Sequence, residues 1–409
     1  MNSNKKAAAG NIRRARRAFL LPLLLAAPAV FSQDFGLALR QSAVFTDGEK
    51  SYGGIEYTGT ALPWFAAPLG EQWDLYISGG ISAQMTIETW KALPELYRTE
   101  AVFRPAPGLR LRAGRVPFTG SLPYTMAGLF DGVSAQLASG GGQLRAGIFY
   151  TGLLYKKAAY IVITPEDRAD YNDKDVYFAS RRLAAGITWE QTGVFETPAN
   201  FSASGLCQID LNGGDAPVHS QYLEAKFDTP LGTSVNTGFG AVLELVEQKG
   251  KSPRAAFAAS AEFRWLVPGA FPDMLSAAGH VSSGAWNGKA GVFLPVTSQA
   301  VGKILRPDLA GIALAEVSYT ARFHRAVSAD LSGAYYFRTD RVTYSDPGVD
   351  ASSVSPLLGS EVYGGFKLAP FSDILLGFGG GVFFPRTGKV FKDNAGIKYR
   401  VTLEADISF

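Results

Sequence analysis

The chain ends in twelve residues that alternate without a break. Tyr399, Val401, Leu403, Ala405, Ile407 and Phe409 fall on one side of an extended backbone, and Lys398, Arg400, Thr402, Glu404, Asp406 and Ser408 on the other. Side chains of a strand point alternately to its two faces, so this pattern specifies a strand with one apolar and one polar face. It recurs upstream. Ala315, Val317, Tyr319, Ala321 and Phe323 oppose Glu316, Ser318, Thr320, Arg322 and His324. Val327, Ala329, Leu331, Gly333, Tyr335 and Phe337 form the apolar side of the next segment, Phe257 to Trp265 alternates against Ser260, Glu262 and Arg264, and Leu109, Leu111 and Ala113 oppose Arg110 and Arg112.

Segments of about ten residues are long for a soluble sandwich, whose strands run to about five or six residues. They match a transmembrane strand, which needs about 9 to 11 residues at a tilt near 45°. Short turn clusters at 105–108, 228–232 and 369–373 alternate with longer polar segments near 156–182, 297–307, 342–356 and 385–396. Short turns at one end and long loops at the other describe an outer-membrane barrel. No stretch of 18 apolar residues follows residue 33, so the sequence contains no transmembrane helix. The expected fold is all-β: a single antiparallel up-and-down transmembrane barrel over 33–409, with about 18 strands, 16 being the next choice. A barrel of that size encloses an aqueous lumen.

The first 32 residues read as an export leader. Lys5, Lys6, Arg13, Arg14, Arg16 and Arg17 precede an apolar run from Ala18 to Val30, and cleavage is expected after Ser32. Those six cations, with no acid among them, explain the net charge of +3: of 39 basic residues, 33 remain to face 36 acids in the mature chain. A basic surface for nucleic acid is thereby excluded. The single cysteine, Cys207, has no partner within the chain for a disulfide.

The terminal strand, Tyr399 and Val401 through Phe409, resembles the signal by which outer-membrane barrels of Gram-negative-type bacteria are recognised for assembly. The segment from Arg110 to Phe118 resembles the arginine-rich strand of substrate-selective porins. Leu358 to Leu368, the turn at Pro370, and Gly377 to Pro385 resemble the closing strands of alginate-export-type barrels. The resemblance implies insertion into outer-membrane lipid by a barrel-assembly machinery and an 18-stranded conduit for anionic solutes. Fatty-acid transporters and siderophore receptors carry plug domains, for which the strand pattern beginning near Phe35 leaves no room.

Function is sought on the polar faces. Arg98, Arg110, Arg112, Arg115, Arg264 and Arg322 are expected to line the pore with Glu262 and Glu316, where charged side chains set ion preference. Arg115 has odd spacing, and a bend at Gly114 and Pro117 is expected to aim it at the mouth. The plainer reading for each residue is a cross-strand ion pair that hydrates the wall. The Arg98–Arg115 group stands apart, because unmatched arginines attract carboxylates and phosphates. Trp189, Trp265, Tyr319, Tyr335 and Phe337 read as the interfacial girdle, and Tyr336 and Tyr363 as aromatics on the polar face. His219, His280 and His324 have no metal-ligand spacing, and His219-Ser220 are adjacent strand residues that point apart, which argues against a barrel lipase. No catalytic residue, metal or cofactor is assigned. The sequence thus points to a passive outer-membrane channel for small polar or anionic solutes. A surface barrel that binds other molecules through its loops is the alternative, and homo-oligomerisation is left open.

Deletion of Phe409 removes only about 1.5 to 3 kcal/mol of apolar burial. It is nevertheless expected to leave most of the chain unfolded in the periplasm, seen as loss of the heat-modifiable band on a gel. Normal insertion of the truncated chain would reject the assembly-signal reading.

Overall fold

The computed structural model describes residues 33–409 apart from 48–53, 87–88, 195, 215, 270 and 286–289. The leader expected in residues 1–32 lies outside the described residues. Among the described residues there are eighteen strands. The first nine are β1 (Asp34–Thr46), β2 (Gly54–Pro68), β3 (Trp73–Thr86), β4 (Trp90–Ala106), β5 (Leu109–Thr119), β6 (Ala127–Ser139), β7 (Gly142–Tyr150), β8 (Arg182–Val194) and β9 (Ala199–Asp210). The second nine are β10 (Val218–Pro230), β11 (Val235–Gln248), β12 (Arg254–Val267), β13 (Asp273–Ser282), β14 (Ile312–His324), β15 (Val327–Arg338), β16 (Leu357–Phe371), β17 (Ile374–Pro385) and β18 (Lys398–Ser408). Each pairs antiparallel with its neighbours in sequence, and β18 returns to β1 from Ala38↔Ser408 to Thr46↔Arg400. The sheet is therefore a closed ring of eighteen strands, and the sixteen-strand alternative is set aside.

Closure leaves no edge between first and last strand, and Leu37 and Phe409 exchange backbone hydrogen bonds of 3.2 and 2.9 Å. Both described chain ends lie at the rim of short connections, such as 107–108, 140–141, 325–326 and 372–373. The opposite rim carries the long ones, 151–181, 283–311, 339–356 and 386–397. At the tight turn after β4, Gly108 adopts φ +79°, a conformation that glycine reaches without Cβ strain.

The outward faces are apolar and uncovered. Leu223, Leu243, Phe239 and Tyr335 are each more than half exposed, and the pattern continues around the ring. Such a belt has no place in water but is the natural surface toward hydrocarbon.

The buried core sits inside the ring. Val116 and Phe118 of β5, Phe130 of β6 and Phe149 of β7 pack with Leu122, Tyr124, Ile161, Ile163, Phe293, Val296 and Leu309 from connections that fold inward. A second cluster joins Ile312, Leu314, Tyr336, Leu358 and Phe383 to Ile304, Val390 and Phe391. Within the segment near 156–182, expected from the sequence to be polar, Ile161 and Ile163 are apolar and pack in this core, as do Phe293 and Leu294 just before the segment near 297–307.

With the C-terminal rim facing the periplasm, 339–356 and 386–397 lie outside the cell. Protease added to intact cells is expected to cut those two segments and spare the turn at 372–373. Cleavage confined to the turn would reverse the topology.

Candidate functional site: the inner wall and its infolded loops

Parity decides which side chains enter the lumen. On β5, Leu111 is lipid-exposed while Val116 and Phe118 are in the inner core, so Arg110 and Arg112 face inward. In the ladder Arg110 stands opposite Gln136, which stands opposite Arg145, and Arg112 stands opposite Ser134. Arg112, Ser134, Gln136, Gln143, Arg145 and Glu190 line a cavity of about 270 Å³ on this wall. On β4 a bulge places Tyr97 and Arg98 opposite the single Ser78, with Ile77↔Thr99 and Gly79↔Leu96 on either side. Arg98 thereby turns inward, its guanidinium carbon 4.9 Å from the Tyr76 ring centre and its Nε 3.1 Å from Glu100.

Most of these cations already have partners. Arg98 pairs with Glu100, Arg104 with Asp74, and Arg145 with Glu190. Arg110 and Arg112 make no hydrogen bond or ion pair among the described residues, and they concentrate the unneutralised charge of this arc. Nine strands away, across the ring, Glu316 of β14 faces inward on the face opposite Val317, and Asp330 of β15 lies nearby. Sequence alternation left out Arg145, although Gln143-Leu-Arg145-Ala-Gly follows the same rule.

The other expected pore residues divide. Glu262 and Arg264 face inward on β12 but bind each other through two contacts of 2.6 Å. Arg322 lies near the short-turn end of β14, where it donates to the Arg325 carbonyl at 2.6 Å. Arg115 is corrected. It shares the outward face with Leu111, is nearly fully buried, and forms a two-pronged pair with Asp131 at 2.8 and 2.9 Å. It further donates to the carbonyls of Leu96 and Leu153, the latter at 3.0 Å. Gly114 has φ +120°, yet the register passes through it one to one, so no bend re-aims Arg115.

Tyr336, read as an aromatic facing the lumen, is fully buried under loop 283–311, whereas Tyr363 faces Lys303. Trp189, Trp265, Tyr319 and Tyr335 are on the exposed outer face. His219 accepts from the Asp210 amide and His324 from the Ala326 amide, and Ser220 beside His219 is fully buried.

The inward loops are held by charged groups of the wall. Glu224 accepts from the Leu122 amide at 3.3 Å and Glu244 from the Leu294 amide at 2.8 Å. In 151–181, a first helix α1 (Lys156–Ala159) is followed by α2 (Pro165–Asn172). Thr164 and Asp167 form a capping box at the start of α2, with Pro165 in the first turn. Asp167 then meets Arg182 of β8 at 2.6 Å, and Arg182 also reaches Asp210 at 3.2 Å and Gln208 at 2.7 Å. Toward the long-loop mouth, Tyr160, Arg168, Leu294, Arg306, Asp308 and Tyr344 line part of a cavity of about 670 Å³. There burial and the adjoining Asp308 carboxylate hold the Tyr160 phenol above its ordinary pKa, so it remains a donor to Asp308.

Fold and inner wall together define a closed eighteen-stranded transmembrane-type barrel with a charged lumen narrowed by loops. No family model matches the chain, and no curated protein is similar to it in sequence. Among solved structures it is similar to Pseudomonas aeruginosa OpdQ, at 13% identity and TM-score 0.61, covering 92% of this chain and 99% of that one. It is also similar to the outer membrane protein OprD of Pseudomonas aeruginosa, at 14% identity and TM-score 0.57, covering 92% and 93%. A third is Pseudomonas aeruginosa OccK2 (OpdF) in complex with glucuronate, at 12% identity and TM-score 0.61, covering 92% and 98%. The chain shares their barrel fold.

Arg182→Leu leaves Asp167 and Asp210 buried without their cation, a loss of about 3 to 5 kcal/mol. The variant is expected to insert as a heat-modifiable barrel whose 165–172 segment becomes open to added protease. Unchanged protection of that segment would show that Arg182 does not hold it.

Proposed function

We propose that the protein is a passive outer-membrane channel for small polar and anionic solutes. The observation that carries this reading is the pair of unpaired, inward arginines, Arg110 and Arg112, on the wall of a closed ring of this size. Fixed positive charge in a confined aqueous path raises the local concentration of anions. Glu316 and Asp330 on the far side add a transverse field that orients a dipolar solute as it passes. The carboxylate sugar held by OccK2, whose fold this chain shares, supports an anionic solute class. Delivery follows from the leader and the terminal strand: export across the inner membrane, then insertion into outer-membrane lipid by the barrel-assembly machinery, with Tyr399, Val401 and Phe409 as the recognised face. In the lumen Arg98 with Glu100 on β4 and Glu262 with Arg264 on β12 hydrate the wall as neutral pairs.

The test is reversal potential in a salt gradient across a planar bilayer. A unit charge at about 4 Å in water is worth about 1 kcal/mol, which is about fivefold in local ion concentration. Arg110→Ser with Arg112→Ser is therefore expected to lower the anion-over-cation permeability ratio a few-fold while insertion and conductance persist. A reversal potential identical to that of the parent would place selectivity elsewhere, and an inserted parent without conductance would reject the channel.

A further inference from the structure

Loop 283–311 contains one non-glycine residue with left-handed backbone among its described residues, Arg306, at φ +50°. A long side chain seldom occupies this region, and it persists where the surroundings over-determine the conformation. Here both flanks are clamped. On the near side the carboxylate of Glu361, itself buried on β16, accepts the three preceding amides in succession: Lys303 at 2.8 Å, Ile304 at 3.1 Å and Leu305 at 3.2 Å. On the far side the Val301 amide binds the Pro307 carbonyl at 2.9 Å, and Asp308 is fixed by the Tyr160 hydroxyl at 2.5 Å and by Arg168 at 2.8 Å.

The side chain so presented is exposed, and it makes no hydrogen bond or ion pair among the described residues. It lines the 670 Å³ cavity of the long-loop mouth. Arg400 of β18 and Glu56 of β2 add charges of opposite sign to its surroundings, while Asp308 and Asp346 of the same cavity are paired with Arg168 and Lys398. An arginine offers five donors in a planar fork suited to a carboxylate, and none of them is spent on the protein.

We propose that Arg306 is a specificity-determining residue for anionic solutes at the long-loop mouth, and that Glu361 is the residue that positions it. The inference rests on the channel reading above and concerns a place other than Arg110 and Arg112. A carboxylate solute in the cavity meets the Arg306 fork there. Glu361 never touches the solute; it fixes the three amides that force the turn at Arg306, and the strain at that residue is held by the loop.

The probe is D-glucuronate, added on the long-loop side of the full-length mature protein in a planar bilayer, with the concentration for half-maximal current block as the readout. Arg306→Gly keeps the left-handed backbone, which glycine adopts freely, and removes the guanidinium. It is expected to weaken the block about tenfold, as loss of one charge-assisted contact implies, with little change for glucose. Glu361→Gln removes a negative charge, which through the field alone would strengthen anion binding. Positioning predicts the opposite: a weaker block, and in the double variant no further loss beyond Arg306→Gly. Parental block in Arg306→Gly, or a stronger block in Glu361→Gln, overturns the proposal. Calorimetric titration of glucuronate in detergent micelles reads the same contrast without current. A parent that conducts nothing but binds glucuronate through Arg306 would reject the channel and retain this site.

Discussion

In a hydrocarbon surrounding, each backbone N–H and C=O must find its partner within the protein, because no water is there to take the place of a missing one. That constraint produces the ring: eighteen strands pair in sequence and β18 closes on β1. It also explains the place where the ring is imperfect. Ladder pairing of β4 with β5 stops at Thr99↔Arg115, and the upper part of β4 runs on without β5 beside it. Pro94, which has no N–H, lies in this free stretch. The Tyr177 hydroxyl takes the Pro94 carbonyl at 2.5 Å, and Arg115 takes the Leu96 carbonyl. An arginine on the membrane side of the wall is thus accounted for by the backbone groups and the carboxylate it satisfies.

A second level of the same constraint operates inside. Loops that enter the lumen bring backbone amides out of bulk water, and buried carboxylates of the wall receive them: Glu224 for Leu122, Glu244 for Leu294, and Glu361 for 303–305. Arg182 does the converse for α2 by binding Asp167. Inward charges therefore divide into those that hold loops and those left for the solute. Among the eight charges assigned to the pore from sequence, a third fate intervenes: Arg98 pairs with Glu100, Glu262 with Arg264, and Arg115 with Asp131 on the outward face.

Strand alternation was readable because a strand between lipid and lumen repeats the same two-residue rule along its length, and because an error of one residue would place an arginine in hydrocarbon. Arg110, Arg112, Glu262, Arg264 and Glu316 were placed on the inner face by that rule alone, and the structure agrees. The rule also puts Arg115 on the outward face; the bend expected to re-aim it is absent, and the partner strand supplies Asp131 on the same face, which makes the position tolerable. It is silent on Arg98, whose direction depends on a bulge opposite Ser78 that no local pattern announces. The infolded segments were partly signalled by Ile161-Val-Ile163 and Val292-Phe-Leu294, apolar runs too short for a strand and out of place in a solvated loop.

The sequence by itself determined the class of fold and the apolar outer surface, since both follow from periodicity and the thickness of a bilayer, which are local quantities; it left the strand number between eighteen and sixteen, and ring closure decided it. Only the tertiary structure decided which charges remain free. Whether an arginine is spent or available depends on residues far away in the chain: Arg182 on Asp167 and Asp210, Arg115 on Asp131 and Leu153, Arg306 on Glu361 through the amides before it. Those partners meet because the ring brings distant strands and loops to one place, and no spacing along the chain encodes that meeting.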